Sequence, residues 1–314
     1  ISAAQKAGIG LTHLPVYYMQ GGLNGKKLAE GQLRFGNEHE HFLAILIEAQ
    51  VALQDAPEDY ALGMAPHSLR AVSPDALQEI VEAVSTGPVH IHIAEQLKEV
   101  EDIQANYNAR PVEWLLQNVA VDSRWCLIHA THMTPEETQN LAKSGAVVGL
   151  CPITEANLGD GIFDGTELLL SGGKYGIGSD SNVFIALTEE LRLLEYSQRL
   201  VRKERNVMTN KTGSIGRALY NDALAGGAQA LGRKSGSITP GNWADLLTLD
   251  ADALTLWGCA DDEFLDRWIF TGEDSLVREV WYAGRQMVSD GQHIQHHEIE
   301  QRYRTVIQEI RREK

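Results

Sequence analysis

Short apolar runs recur along the first 180 residues. Between them lie stretches whose apolar positions fall every three or four residues. The runs predict strands over residues 9–18, 60–67, 89–95, 125–131, 146–151 and 175–180. The intervening pattern predicts helices over 38–53, 74–84, 111–118 and 135–144, and a longer one over 187–205 follows the last strand. Such alternation builds βαβ units on a parallel sheet. Strands apolar on both faces fit a barrel or a doubly wound sheet, where helices cover the sheet. Beyond about Gly232 the rhythm changes to short strands and turn residues: Leu246-Leu247-Thr248-Leu249, then Val277 to Tyr282, turning at Ala283-Gly284-Arg285.

Polar residues choose between barrel and doubly wound sheet. His67, His92 with Glu95, His129, Cys151 and Asp180 all fall at or just past the C-terminal ends of their strands. In a (β/α)₈ barrel of the TIM type that rim collects catalytic groups from several strands. A dinucleotide fold needs a GxGxxG turn after its first strand, and Gly176-Ile177-Gly178 is too short to serve. The barrel is therefore the expected α/β fold. Six strands are counted where eight are required, and the opening Ile1 to Gly8 reads as the last turns of a helix capped by Gly8. The first two βα units are thus expected to be absent from this chain. The expected division is a barrel over 1–234, a small β-sandwich over 235–295 and a charged C-terminal helix over 296–314.

Composition narrows the partners. The chain of 314 residues carries 27 Lys and Arg against 43 Asp and Glu, a net charge of −16. So acidic a surface speaks against nucleic acid and anionic membranes. A small anionic substrate stays open, because a local basic pocket can override the global field. Three cysteines without a CxxC pair form no disulfide framework, and a reducing cytoplasm is expected. No apolar run of about 18 residues and no signal peptide is visible.

The segment His90-Ile91-His92-Ile93-Ala94-Glu95 is the strongest local signal. Residues two apart on a strand share a face, so both imidazoles can point inward. They could bind a metal, or be core histidines bonded to backbone. Asp180, flanked by small residues at a strand tip, suits a metal ligand and base, or a helix N-cap. His129 ends a third strand. His67 and Arg70 end a fourth, where the Arg fork suits a carboxylate or a rim salt bridge. Together these strand ends favour a site. His39, His41, His293, His296 and His297 read as solvated.

These motifs resemble the amidohydrolase superfamily and, within it, the formimidoylglutamate deiminases. The resemblance runs through Leu14-Pro15-Val16-Tyr17-Tyr18, Gly31-Gln32-Leu33-Arg34-Phe35, Ala65-Pro66-His67-Ser68-Leu69-Arg70, His90-Ile91-His92-Ile93-Ala94-Glu95-Gln96, Ile128-His129-Ala130-Thr131-His132, Thr154-Glu155-Ala156-Asn157-Leu158-Gly159-Asp160-Gly161 and Gly178-Ser179-Asp180-Ser181. It implies one Zn2+ per chain (Fe2+ as the alternative ion), with His92 and Asp180 as ligands and Asp180 also as base. It further implies Glu95 as proton shuttle, His129 orienting the attacking water, and His67 with Arg70 holding a substrate carboxylate. Glu155 and Asn157 are implied as loop contacts. The implied reaction turns N-formimino-L-glutamate into N-formyl-L-glutamate and ammonia in histidine degradation, by a homodimer. The family's two further ligands, an H-x-H motif on the first strand, have no counterpart in this sequence. The alternatives are a superfamily deaminase acting on a heterocyclic amine such as guanine, and a non-catalytic barrel.

Overall fold

The computed structural model describes residues 1–209 and 213–312. Helix α1 (Ser2–Ala7) ends at Gly8, whose φ of 68° is the left-handed cap that the sequence predicts. The first predicted strand is split into β1 (Thr12–His13) and β2 (Val16–Tyr17). Pro15 stands at the break and has no N–H to give the ladder. After α2 (His39–Gln54), the second is split likewise into β3 (Ala61–Leu62) and β4 (Ala65–Pro66).

Next come α3 (Pro74–Ala83), β5 (Val89–Ile93), α4 (Leu97–Tyr107), α5 (Pro111–Asn118), β6 (Trp125–His129), α6 (Pro135–Ser144) and β7 (Val147–Leu150). Two short helices, α7 (Pro152–Leu158) and α8 (Gly165–Leu170), precede β8 (Lys174–Ile177). β1 pairs with β3 and β2 with β4, while β5 to β8 form one parallel sheet in sequence order. Bridges from Met64 to Val89 and from Ser68 to His92 join β4 to β5. The result is six parallel staves in sequential order, the number the apolar runs predict.

The helix starts follow from their sequences. Ser73 and Thr134 cap α3 and α6 with their hydroxyls, and α3, α5 and α6 each carry Pro in the first turn. The helices cover the outer face of the sheet over a core that includes Phe42, Leu77, Ile80, Ile91, Ile93, Trp125 and Tyr175, each at most 1% exposed. After β8 the chain forms α9 (Leu187–Arg202) and α10 (Ile215–Ala230). A Cβ on Gly226 would lie 1.9 Å from the Tyr175 carbonyl, so only glycine lets α10 lie this close to β8.

β9 (Leu246–Leu249) is followed by α11 (Glu263–Thr271), β10 (Val277–Tyr282), β11 (Arg285–Ser289) and β12 (Gln292–His293). The four strands form one antiparallel sheet in the order β12-β11-β10-β9. Of the expected sandwich, the described residues form this one antiparallel sheet. The apolar residues between β9 and β10 go to α11, which buries Trp268 and Ile269 against α9 and α10. The sheet is moored to the barrel by Asp59, whose carboxylate meets Arg285 at 3.1 Å and Arg233 at 3.5 Å. Arg233 also grips Asp245 with two bonds of 2.6 and 2.8 Å.

Helix α12 (His296–Arg312) is exposed along its length; residues 313–314 of the predicted terminal helix lie outside the described residues. No described helix is long and apolar enough to cross a membrane.

Candidate metal centre

β5 places His90 and His92 on one face, as strand alternation requires, yet their surroundings differ. His90 Nε2 lies 2.8 Å from the Ala230 carbonyl at the end of α10. His92, a half-turn of pleat nearer the C-terminal rim, has Nδ1 3.0 Å from the His67 carbonyl. A carbonyl only accepts, so Nδ1 carries the proton and Nε2 keeps its lone pair. His129, at the end of β6, places Nδ1 3.1 Å from Glu155 Oε1. The same logic leaves its Nε2 free to face the site, where Glu95 Oε1 stands 3.8 Å away.

His92, His129 and Asp180 each offer one atom to a cluster whose members all lie within 4.8 Å of one another. A divalent ion with bonds of about 2.0–2.2 Å can close that span through small side-chain movements. His92, with Nδ1 engaged, and the Asp180 carboxylate are fitting metal donors, and His129 stands close enough to reach a water on the ion. The chain turns sharply at these positions: Ala94, His129, Ala130 and Asp180 have φ of 51°, 68°, 49° and 38°. Non-glycine residues avoid this region, and strain of this kind gathers at functional rims.

Buried carboxylates organise the rim. Glu99, 1% exposed, accepts from the backbone N–H of Ala94 and Glu95, each at 3.2 Å, and pins the corner that carries Glu95. Burial raises its pKa, although Arg70 opposes the shift. Glu155 is 5% exposed and accepts both from His129 and from the Cys151 N–H at 2.9 Å. Glu190, in the first turn of α9 and 2% exposed, accepts from the Ile153 N–H at 2.8 Å. Burial, with Glu155 and Asp180 nearby, pushes its pKa up to about 7.

The two facing imidazoles are pulled apart electrostatically. Burial lowers the pKa of His92, and the neighbouring His129 lowers it further. Burial also pulls His129 down, but its bond to Glu155 and the charges of Glu95, Glu155 and Asp180 prevail and raise it.

His67 stacks on His92 at 4.9 Å and meets the Tyr18 ring edge-on at 4.5 Å. Burial, then His92 and Arg70, lower its pKa to about 3, so it is a neutral imidazole. The Arg70 guanidinium is half-exposed and stands 3.8 Å from Glu99, and its Nε is buried without a partner. His67 and Arg70 line a small cavity of about 120 Å³ with Tyr18, Gln20 and Gln32. A larger one, about 670 Å³, lies between α5 and α6, away from these groups, and has none of the site's chemistry on its walls.

The structure thus brings together Glu95, His129, Asp180 and His92, with His67 stacked on the group and Arg70 beside it. Asp180 caps no helix: the N-terminus of α9 is capped by Asp274, which accepts from the Leu187 N–H at 2.9 Å. Some placements differ from the sequence expectation. Glu155 and Asn157 are not in a loop. Pro152 in the first turn and Gly159 in the left-handed cap make the stretch helix α7, with Glu155 beneath His129 and Asn157 exposed. His39 and His293 also differ, being half-buried, the first edge-on to Tyr17 and the second bonded to the Ala7 carbonyl. Glu99 and Glu190 went unnoticed in the sequence, where acids on amphipathic helices look solvated.

The sequence model of the amidohydrolase family matches residues 28–287. The chain is 52% identical over 296 residues to formimidoylglutamate deiminase of Pseudomonas aeruginosa, covering 93% of this chain and 64% of that protein. It is 32% identical over 231 residues to the 5-methylthioadenosine/S-adenosylhomocysteine deaminase of Halobacterium salinarum, covering 72% of this chain and 52% of that protein. The chain therefore spans about two thirds or less of these relatives' lengths. Among solved structures, an amidohydrolase from Brucella melitensis superposes with a TM-score of 0.93 at 48% identity, over 98% of this chain and 68% of that one. An adenosine deaminase from Xanthomonas campestris with bound zinc gives a TM-score of 0.78 at 23% identity, over 93% and 64%, which is a likeness of fold.

Proposed function

The chain belongs to the amidohydrolase family, and from that premise we propose that it serves a metal-dependent deiminase whose substrate is N-formimino-L-glutamate. The reaction adds water across the C=N bond and releases N-formyl-L-glutamate and ammonia. The observation that carries the reading is the convergence of His92, His129 and Asp180, with both imidazoles fixed through Nδ1. Likeness to the Pseudomonas deiminase supports the choice of substrate.

His92 Nε2 and an Asp180 oxygen would hold the ion, zinc in this proposal. When bound, it supplies a Lewis acid that makes water acidic enough to react near neutral pH. Asp180 takes a proton from the attacking water. His129, held in its tautomer by Glu155, orients that water through Nε2. Glu95, 3.8 Å from His129, protonates the imino nitrogen; the proton held on Asp180 then passes to the same nitrogen, which departs as ammonia, while the added hydroxyl returns its proton to Glu95 as the C=O forms. Neutral His67 and the Arg70 fork bind a carboxylate of the substrate.

The experiment is ammonia release from N-formimino-L-glutamate against 5-methylthioadenosine and guanine as competing substrates. Turnover confined to the first supports the proposal. Turnover confined to a heterocyclic amine overturns the choice of substrate class.

A further inference from the structure

The stretch around Asp160-Gly161 stands out in the sequence, and the proposed chemistry does not use it. It lies on the loop after α7, and Asp160 is 7% exposed. Three neighbouring loops meet there. Asp160 Oδ1 accepts from Gln96 Nε2 at 2.9 Å, and Gln96 is the residue after Glu95. The Asp160 carbonyl accepts from His132 Nε2 at 2.7 Å, three residues past His129. The Asp160 N–H donates to the Glu155 carbonyl at 2.9 Å, which closes α7.

Gly161 makes the approach possible. Its φ is 127°, and a Cβ there would come within 3.2 Å of His132 Cε1 and 3.5 Å of Thr131 Cγ2. His132 is fixed from two further sides: its N–H donates to the Ala94 carbonyl at 3.0 Å, and its carbonyl accepts from Arg110 Nη2. Glu95, by contrast, has no hydrogen bond to its carboxylate among the described residues and only approaches His129. Its backbone is pinned by Glu99, but nothing on its own side chain sets its direction.

We propose that Asp160 is a positioning residue: it latches the loops after β5, β6 and β7 into one rim and so fixes Glu95 against His129. The role of Glu95 as proton carrier rests on the reading above. The latch itself does not.

The test uses Asp160→Ala, Asp160→Asn, Gln96→Ala and the double alanine variant, all in the metal-loaded protein. A displaced proton carrier lowers kcat, by about 100-fold for a shift near 1 Å, and leaves KM within about threefold. Asp160→Asn keeps an acceptor for Gln96 and restores most of kcat. Asp160→Ala adds little to the loss in the Gln96→Ala background. Unchanged kcat per metal-loaded site, with only a lowered melting temperature, would overturn the proposal. So would independent, multiplying losses in the double variant. Should the unsubstituted protein release no ammonia, the functional reading fails, and urea unfolding reads the latch instead. The double variant should then unfold at the midpoint of the weaker single variant; fully additive shifts overturn the latch.

Discussion

His90 and His92 share one strand and one face, yet they stand in opposite kinds of surroundings. The floor around His90 is closed and apolar. Cys126, Val147 and Ala230 are buried there, and the one polar ring is bonded to a helix-end carbonyl. The rim around His92 holds His67, Glu95, His129 and Asp180 and several buried carboxylates, and its corners adopt conformations that non-glycine residues avoid. On the proposed function, identical side chains 2 residues apart serve stability at one end of the barrel and chemistry at the other. What separates them is the partner of each ring, since Ala230 caps His90 from below while the Nε2 of His92 is left facing Asp180.

The contrast can be broken from either end. Replacing His92 or Asp180 by Ala should remove the metal and lower kcat by about 10³-fold, read from metal content and ammonia release. Retained metal and near-normal turnover would erase the distinction between rim and floor. Glu155→Gln keeps an acceptor but removes the charge that holds His129. A fall in kcat of about 10- to 100-fold is expected at unchanged metal content. Arg70→Ala should raise KM for the formimino substrate about tenfold or more, with a smaller effect on kcat; an unchanged KM would take Arg70 out of the substrate site and leave it as the partner of Glu99.

From the other end, His90→Leu leaves the Ala230 carbonyl without its donor. It should cost about 1–3 kcal/mol of stability in denaturant unfolding. Turnover per metal-loaded site should stay unchanged, which is the opposite signature from His92.

The smallest effect is a pH dependence. Glu190 has a folded pKa of about 7, above the ordinary carboxylate value. The folded state therefore binds more protons than the unfolded one between the two values. Its contribution is neutral at acid pH, and stability is lost as pH rises toward and through 7. In the metal-free protein, Glu190→Gln should be stabilising at pH 8 and neutral near pH 4. An equal effect at both would show that Glu190 is not held protonated.

Much of this was legible in the sequence because it rests on period and position. The six staves follow from apolar runs, and the choice of His92 over His90 came with the family resemblance. The breaks at Pro15 and Gly63 left those two staves shorter than their apolar runs. Helix α4 is apolar only at a few positions such as Leu97, Val100 and Ile103, so its pattern was too sparse to read. Glu99 and Glu190, and the burial of Glu155 beneath His129, were harder still. A carboxylate looks solvated until the backbone N–H groups that donate to it are placed around it: Ala94 and Glu95 for Glu99 and Cys151 for Glu155, each four or five residues back where the chain leaves a strand, and Ile153, distant in sequence, for Glu190. Helix α11 was hidden for a related reason: its apolar residues find their partners on α9 and α10.

The most direct test of the central claim is ammonia release from N-formimino-L-glutamate by the protein purified with its native metal, with metal measured on the same sample. The account predicts release, loss of activity on chelation and recovery on adding about one zinc per chain. Metal held through His92 and Asp180, without any release of ammonia from this substrate, would contradict it.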